Sequence, residues 1–145
     1  MIRTINKQIT LYNNQVITFW YIEEDRAWVG TLKMDDKEIE LNIINQTEMD
    51  WSDISNRASF FTEHYNRIIN LTKKGIIEHQ KHLNFPLNDD FDLTVVQFPL
   101  NADREDAFIF LYTYNDNDAG YDYVPWTIHI RIVNGLPELR AVVRE

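Results

Sequence analysis

WSDISNRASFFTEHYNRIINLTKKGIIEHQKHL, residues 51–83, is the stretch whose periodicity decides the fold. Ile54, Ala58, Phe61, Tyr65, Ile68, Thr72 and Ile76 recur at spacings of three and four. Side chains so spaced share one face of an α-helix, so together they make a single apolar stripe that has to be buried against another element. Asp50 stands where its carboxylate can cap the first turn, and Asp53 follows near the positive helix end. Lys73-Lys74-Gly75 has the composition of a helix end, with cations in the last turn and Gly at the left-handed position. Either the helix stops near Lys74 and a short second one covers Ile76 to Leu83, or Gly75 sits inside at a cost of about 1 kcal/mol relative to Ala. Both remain open at this point. Pro86 and the Asn88-Asp89-Asp90 run end the block.

Strand patterns flank the helical block on both sides. Before it, residues 5–45 read as a meander. Ile5, Lys7, Ile9 and Leu11 sit at period two, and Asn13-Asn14 suits a tight hairpin turn. Val16 to Ile22 (VITFWYI) is apolar on both faces, Glu23 to Arg26 turns the chain, and Ala27 to Leu32 follows. After Asp35-Asp36, Ile39, Leu41 and Ile43 alternate with Glu38, Glu40 and Asn42, the mark of a half-buried strand. Beyond the helix come Leu93 to Phe98, Ala107 to Tyr114 (AFIFLYTY), Trp126 to Val133 and Leu139 to Val143, the last two joined around Asn134-Gly135. Strands, a helical block, then strands again is an α+β pattern. We expect one domain over residues 1–145, a twisted antiparallel sheet of N-terminal meander and C-terminal strands with the central helical segment packed across one face. Every strand connection except the one through the helix is short enough for an antiparallel pair. Trp20, Phe61, Ile68, Phe110 and Trp126 are expected in the core.

Bulk composition narrows the function classes. The chain has no cysteine, which excludes a disulfide framework, a thiolate zinc site and a cysteine nucleophile. It has four Gly and neither a G-x-G-x-x-G nor a Walker phosphate loop, and it lacks a G-x-S-x-G elbow, so no cofactor and no catalytic residue is expected. Its N-terminus has no apolar run after its charges, and no stretch approaches the roughly 18 apolar residues of a membrane span. A cytoplasmic location and no membrane partner are therefore expected. With 23 Asp and Glu against 14 Lys and Arg the formal charge is −9, a field that repels nucleic acid and attracts basic proteins or cations. The same charge also serves solubility.

Asn115 to Pro125, NDNDAGYDYVP, is the most conspicuous polar segment. Asp116, Asp118, Gly120 and Asp122 give D-x-D-x-G-x-D, a run of oxygens suited to a hard cation. The closing Glu of a calcium loop is missing, since Thr127 holds that position, so a solvated Asp- and Asn-rich turn is the expectation and no metal is assigned. Asp103, Glu105 and Asp106 on the preceding hairpin could pair for acid–base chemistry only if burial separated their pKa values, and in a solvated turn they are expected to be exposed. His79 and His82, with Glu78, could share a helix face toward a divalent metal, but the H-E-x-x-H motif is absent. Tyr112, Tyr114, Tyr121, Tyr123 and Trp126 gather around the acidic segment, and aromatics beside a polar rim are enriched in protein interfaces. Tyr112, Tyr114 and Trp126 fit equally well as strand residues. Tyr121 and Tyr123 do not, so Asp116, Asp118, Tyr121, Asp122 and Tyr123 are the candidate partner-binding residues.

Residues 107–145 carry a resemblance. An apolar strand (AFIFLYTY), an Asp-rich turn with Gly-Tyr-Asp, then Pro-Trp-Thr-Ile-His-Ile and Asn-Gly-Leu-Pro-Glu-Leu are similar to the ends of small bacterial domains of unknown function, of the kind associated with immunity proteins of toxin systems. Pro125 before Trp126 departs from that pattern, where a Gly or small residue is more usual. The resemblance implies an immunity protein and carries no catalytic motif; the acidity and the aromatic segment motivate the expectation of a non-enzymatic binding protein that neutralises a basic toxin. A small metal-dependent hydrolase and a structural or adaptor domain are the alternatives.

Overall fold

The computed structural model describes residues 5–35, 37–44, 49–83, 91–100, 105–114 and 126–144. Four strands come first: β1 (Asn6–Thr10), β2 (Val16–Ile22), β3 (Ala27–Met34) and β4 (Lys37–Ile44). Two helices follow, α1 (Trp51–Glu63) and α2 (Tyr65–His82). Four more strands complete the fold: β5 (Phe91–Gln97), β6 (Phe108–Tyr114), β7 (Trp126–Val133) and β8 (Leu136–Arg144). The strands form one sheet in chain order, antiparallel throughout except for the parallel pair β4–β5. That exception is what the connection dictates, because a parallel pair needs a long crossover and only β4 and β5 are joined through the helices.

The apolar stripe behaves as its spacing requires. Ile54, Ala58, Phe61, Ile68, Thr72 and Ile76 are all buried, and Tyr65 is half-buried. Asp50 caps α1 by accepting the Asp53 N–H at 3.1 Å. The helical block is interrupted at His64 rather than at Lys74. The His64 N–H still reaches the Phe60 carbonyl, and its own carbonyl accepts from Ile68, so hydrogen bonding passes through the break. Gly75 lies inside α2, and close approach explains it. A Cβ there would stand 2.9 Å from Leu139 Cδ2 and 3.3 Å from Val142 Cγ2, so a larger residue would have to push these methyl groups aside for the helix to lie this close to β8.

Turn chemistry sets the hairpins. Asn14 takes φ 69° between β1 and β2, and Asn134 and Gly135 take 54° and 76° between β7 and β8. Two left-handed residues in succession match the twist of the flanking strands. The tight turn starts β8 at Leu136, earlier than the expected Leu139, and places Pro137 in an edge strand, where a missing N–H is tolerated.

Register divides the sheet into two faces. Gly30, Leu41, Val96, Phe110, Ile128 and Val142 pair in succession from β3 to β8 and face the helices. All are buried except Val142, which is half-buried on the edge strand. Phe61 meets Phe110 edge-on with ring centroids 5.4 Å apart, and Trp51 packs on both Phe19 and Trp28. Displaced by one residue, Trp20, Val29, Asn42, Gln97, Ile109, His129 and Ala141 form a second row across β2 to β8 on the opposite face. All of these are half-buried. Among the described residues no helix or further strand is laid over that face. Trp20 therefore differs from its expected place in the core. Because VITFWYI is apolar at both parities, periodicity alone could not assign its faces, whereas the contact between Phe19 and Trp51 does.

Candidate interaction surface

The sheet face that no described helix covers brings together residues far apart in the chain. Beside the row that begins at Trp20 runs another, Thr31, Glu40, Val95, Leu111, Thr127 and Val143. Trp20, Val29, Val95, Ile109 and Leu111 are thus partly exposed apolar groups on one surface. Glu40 is exposed among them, Glu38 follows it toward the end of β4, and Glu23, Glu24 and Asp25 are exposed in the turn leaving β2. Lys33 stands opposite Glu38, and Arg26, Arg131 and Arg140 are exposed as well, so the rim carries both signs. An aromatic and several aliphatic side chains inside a polar rim is the composition of a protein interface. The sheet edges are built differently. β1 has only five residues, and β8 carries Pro137 and a bulge that sets Arg140 out of register between Leu139 and Ala141. Both devices discourage strand-to-strand addition.

The bulge assembles a polar cluster at one end of this face. Arg140 donates from Nη2 to Asp106 Oδ2 at 2.9 Å and also from Nε to Oδ1. His129 Nδ1 lies 2.8 Å from the same Oδ2, and Glu105 joins Arg140 at 3.3 Å. Burial would raise the Asp106 carboxyl, but the hydrogen bonds from Arg140 and His129 outweigh it and hold the group below its ordinary 3.8. Asp106 is 8% exposed, which corrects its expected place in a solvated turn. A carboxylate saturated by donors in this way stays ionised, so it serves as a fixed brace between β6, β7 and β8 rather than as a proton donor. Inside the sheet end, the buried Arg57 donates to the Ala107 carbonyl at 2.7 Å and to Asp53 at 2.8 Å, tying α1 to the start of β6.

Asp116, Asp118, Tyr121, Asp122 and Tyr123 lie outside the described residues, as does Asp103. The strands on either side of residues 115–125 are described, and both are firmly rooted. Trp126 is fully buried with His79 edge-on to it at 5.5 Å. Tyr112 is fully buried, its hydroxyl bonded to that of Thr72, and burial pushes the phenol well above its usual range. Tyr112 and Trp126 are thus core residues of their strands. His79 and His82 have ring centroids 6.4 Å apart, and Glu78 is 3.9 Å from Lys81. Among the described residues no three His, Asp or Glu side chains gather where they could hold a metal. No helix among them is long and apolar enough to cross a membrane.

Two features escaped the sequence. Trp20 could have been placed by counting alternately from Ile17 and Phe19 once either was known to face a helix. The Asp106–His129–Arg140 cluster left no signal, because it depends on a bulge that shifts β8 by one residue. In comparisons with protein-family models, with curated proteins and with solved structures, nothing matches this chain, so its function has to be argued from this surface.

Proposed function

We propose that the protein is a non-enzymatic, cytoplasmic protein-binding domain that holds a basic protein partner on the uncovered face of its sheet, in the manner of an immunity protein neutralising a basic toxin. The observation that carries this is the second row of the sheet, in which Trp20, Val29 and Ile109 are half-buried with no helix over them among the described residues. Exposed carboxylates at Glu23, Glu24, Asp25, Glu38 and Glu40 border it, and the chain's −9 charge favours a basic protein over nucleic acid. In this account Asp116, Asp118 and Asp122 add to the attracting field, and Tyr121 and Tyr123 add contact area. The hydrolase alternative needs a carboxyl poised to give up or take a proton. Asp106 is instead held ionised by Arg140 and His129.

The test is kinetic. A tagged chain captures its partner from the native cell, and association and dissociation are then measured with the purified pair. The partner is expected to be basic, with an association rate that falls steeply with salt, because screening over about 8 Å at physiological ionic strength removes steering. Trp20→Ala should speed dissociation at least tenfold, and Asp116, Asp118 and Asp122 changed together to Asn should slow association. A neutral or acidic partner, or rates unmoved by either variant, refutes the proposal.

A further inference from the structure

His129 occupies the outer row of the sheet, where Ile109 and Ala141 pair with it on β6 and β8. Its side-chain contacts to Asp106 and Arg140 both use Nδ1. Asp106 Oδ2 lies 2.8 Å from that atom, and Arg140 Nη2 lies 3.4 Å from it. The shorter contact decides the tautomer. Asp106 is ionised and brings no hydrogen, so the proton in the 2.8 Å contact belongs to Nδ1. A bare Nδ1 there would set two lone pairs against each other. Arg140 grips the same carboxylate from Nε and Nη2, which holds the ring's partner in place. A neutral ring therefore carries its free lone pair on Nε2. That atom has no hydrogen-bond partner among the described residues, and the side chain is 20% exposed.

The charges around the ring favour a cationic donor. Glu105 and Asp106 precede β6, and both are joined to Arg140, the cation of the cluster. With a neutral His129 these three groups leave one net negative charge beside the ring. Arg131, two residues along β7 on the same face, is already joined to Glu138. Ile109, Ala141 and Thr127, the other sheet positions beside the ring, are uncharged. A proton on His129 cancels the negative charge and removes the lone pair in one step. We propose that His129 is a proton-sensitive acceptor on the outer face: its bare Nε2 takes a hydrogen bond from a lysine or arginine N–H of the basic partner, and the complex loosens when the ring is protonated. This rests on the reading of that face as the docking surface.

Proton–nitrogen NMR of the imidazole rings identifies the tautomer. In the free chain at about pH 7.5 His129 should carry its hydrogen on Nδ1, and the Nε2 signal should shift when the captured partner is added. Dissociation of the pair is then compared at about pH 7.5 and about pH 5.5, on either side of the range where histidine side chains change charge. Acidification should speed it about tenfold, the effect of losing one charge-assisted hydrogen bond. His129→Gln retains an N–H for Asp106 but takes up no proton, so the variant should dissociate at the same rate at both pH values. His64, His79 and His82 belong to the helical block and remain in that variant as internal controls. Trp20→Ala should speed dissociation alike at both pH values, because it tests the docking face and not the proton. A rate that Trp20→Ala leaves unchanged refutes the docking face, whatever His129 does. A hydrogen on Nε2 in the free chain, an Nε2 signal unmoved by the partner, or a pH dependence that His129→Gln retains overturns the proposal.

Discussion

Ile109 and Phe110 are consecutive on β6, yet they belong to opposite halves of the molecule. Phe110 points at Phe61 and is wholly buried, whereas Ile109 points away from the helices and stays half-exposed. The same contrast runs the width of the sheet, with Val96 against Gln97, Ile128 against His129 and Leu41 against Asn42. The inner face is close-packed hydrocarbon and aromatic rings, where each atom removed leaves a void. The outer face mixes β-branched, aromatic, amide and charged groups, where a substitution changes what the protein presents more than whether it folds. On β6 the even-numbered residues thus serve stability, while the odd-numbered ones face away from the helices and are the ones proposed to meet a partner.

Substitutions can break or sharpen that division. The largest effect is expected inside. Phe61→Ala or Phe110→Ala should lose about 3–5 kcal/mol of stability, since each leaves a cavity between α1 and the sheet. Denaturant unfolding measures this, and a melting temperature within a degree or two of the parent would show that the inner row is misplaced. An intermediate effect is expected at the polar brace. Asp106→Asn should cost about 1–2 kcal/mol at neutral pH, less than a fully buried pair because Arg140 and His129 are partly wetted. The Asp106 pKa is depressed in the folded state, so its contribution is complete above the ordinary value of 3.8 and is lost as pH falls through the lower folded value. Parent and variant should therefore converge in stability below that range. A gap that stays constant down to strong acid would mean that the carboxylate charge does not brace the strands. The smallest effect on stability is expected outside. Trp20→Ala should change it by no more than about 1 kcal/mol while impairing partner binding. Equal losses of stability at Trp20 and Phe110 would erase the distinction between the faces.

The helical stripe and β4 were legible in the sequence because one face of each is apolar and the other polar. Ile54 to Ile76 and Ile39 to Ile43 could be assigned from spacing alone. The Asn13-Asn14 and Asn134-Gly135 turns were legible because few other residues accept left-handed dihedrals. What could not be read has a physical cause in each case. The break at His64 involves neither Gly nor Pro and leaves the hydrogen-bond ladder nearly intact, so no local residue type marks it. Gly75 looked like a terminator but answers to a long-range contact with Leu139 and Val142. Trp20 lies in a strand apolar at both parities. The cluster of Asp106, His129 and Arg140 depends on pairing register, which belongs to the assembled sheet rather than to any segment. As for the candidate site, the acidic loop was marked by composition, whereas the sheet face emerges only when the strands from β2 to β8 are set side by side.

The central claim is that the partner sits on the outer face and leaves the inner one untouched. Methyl NMR of the chain labelled at Ile, Leu and Val, recorded free and with the captured partner, reads the two faces separately. Val29, Val95, Ile109 and Leu111 are expected to shift or broaden on binding, while Leu41, Val96 and Ile128, their immediate neighbours on the helix side, keep their positions. Outer methyls that stay still while the partner is bound would contradict the account.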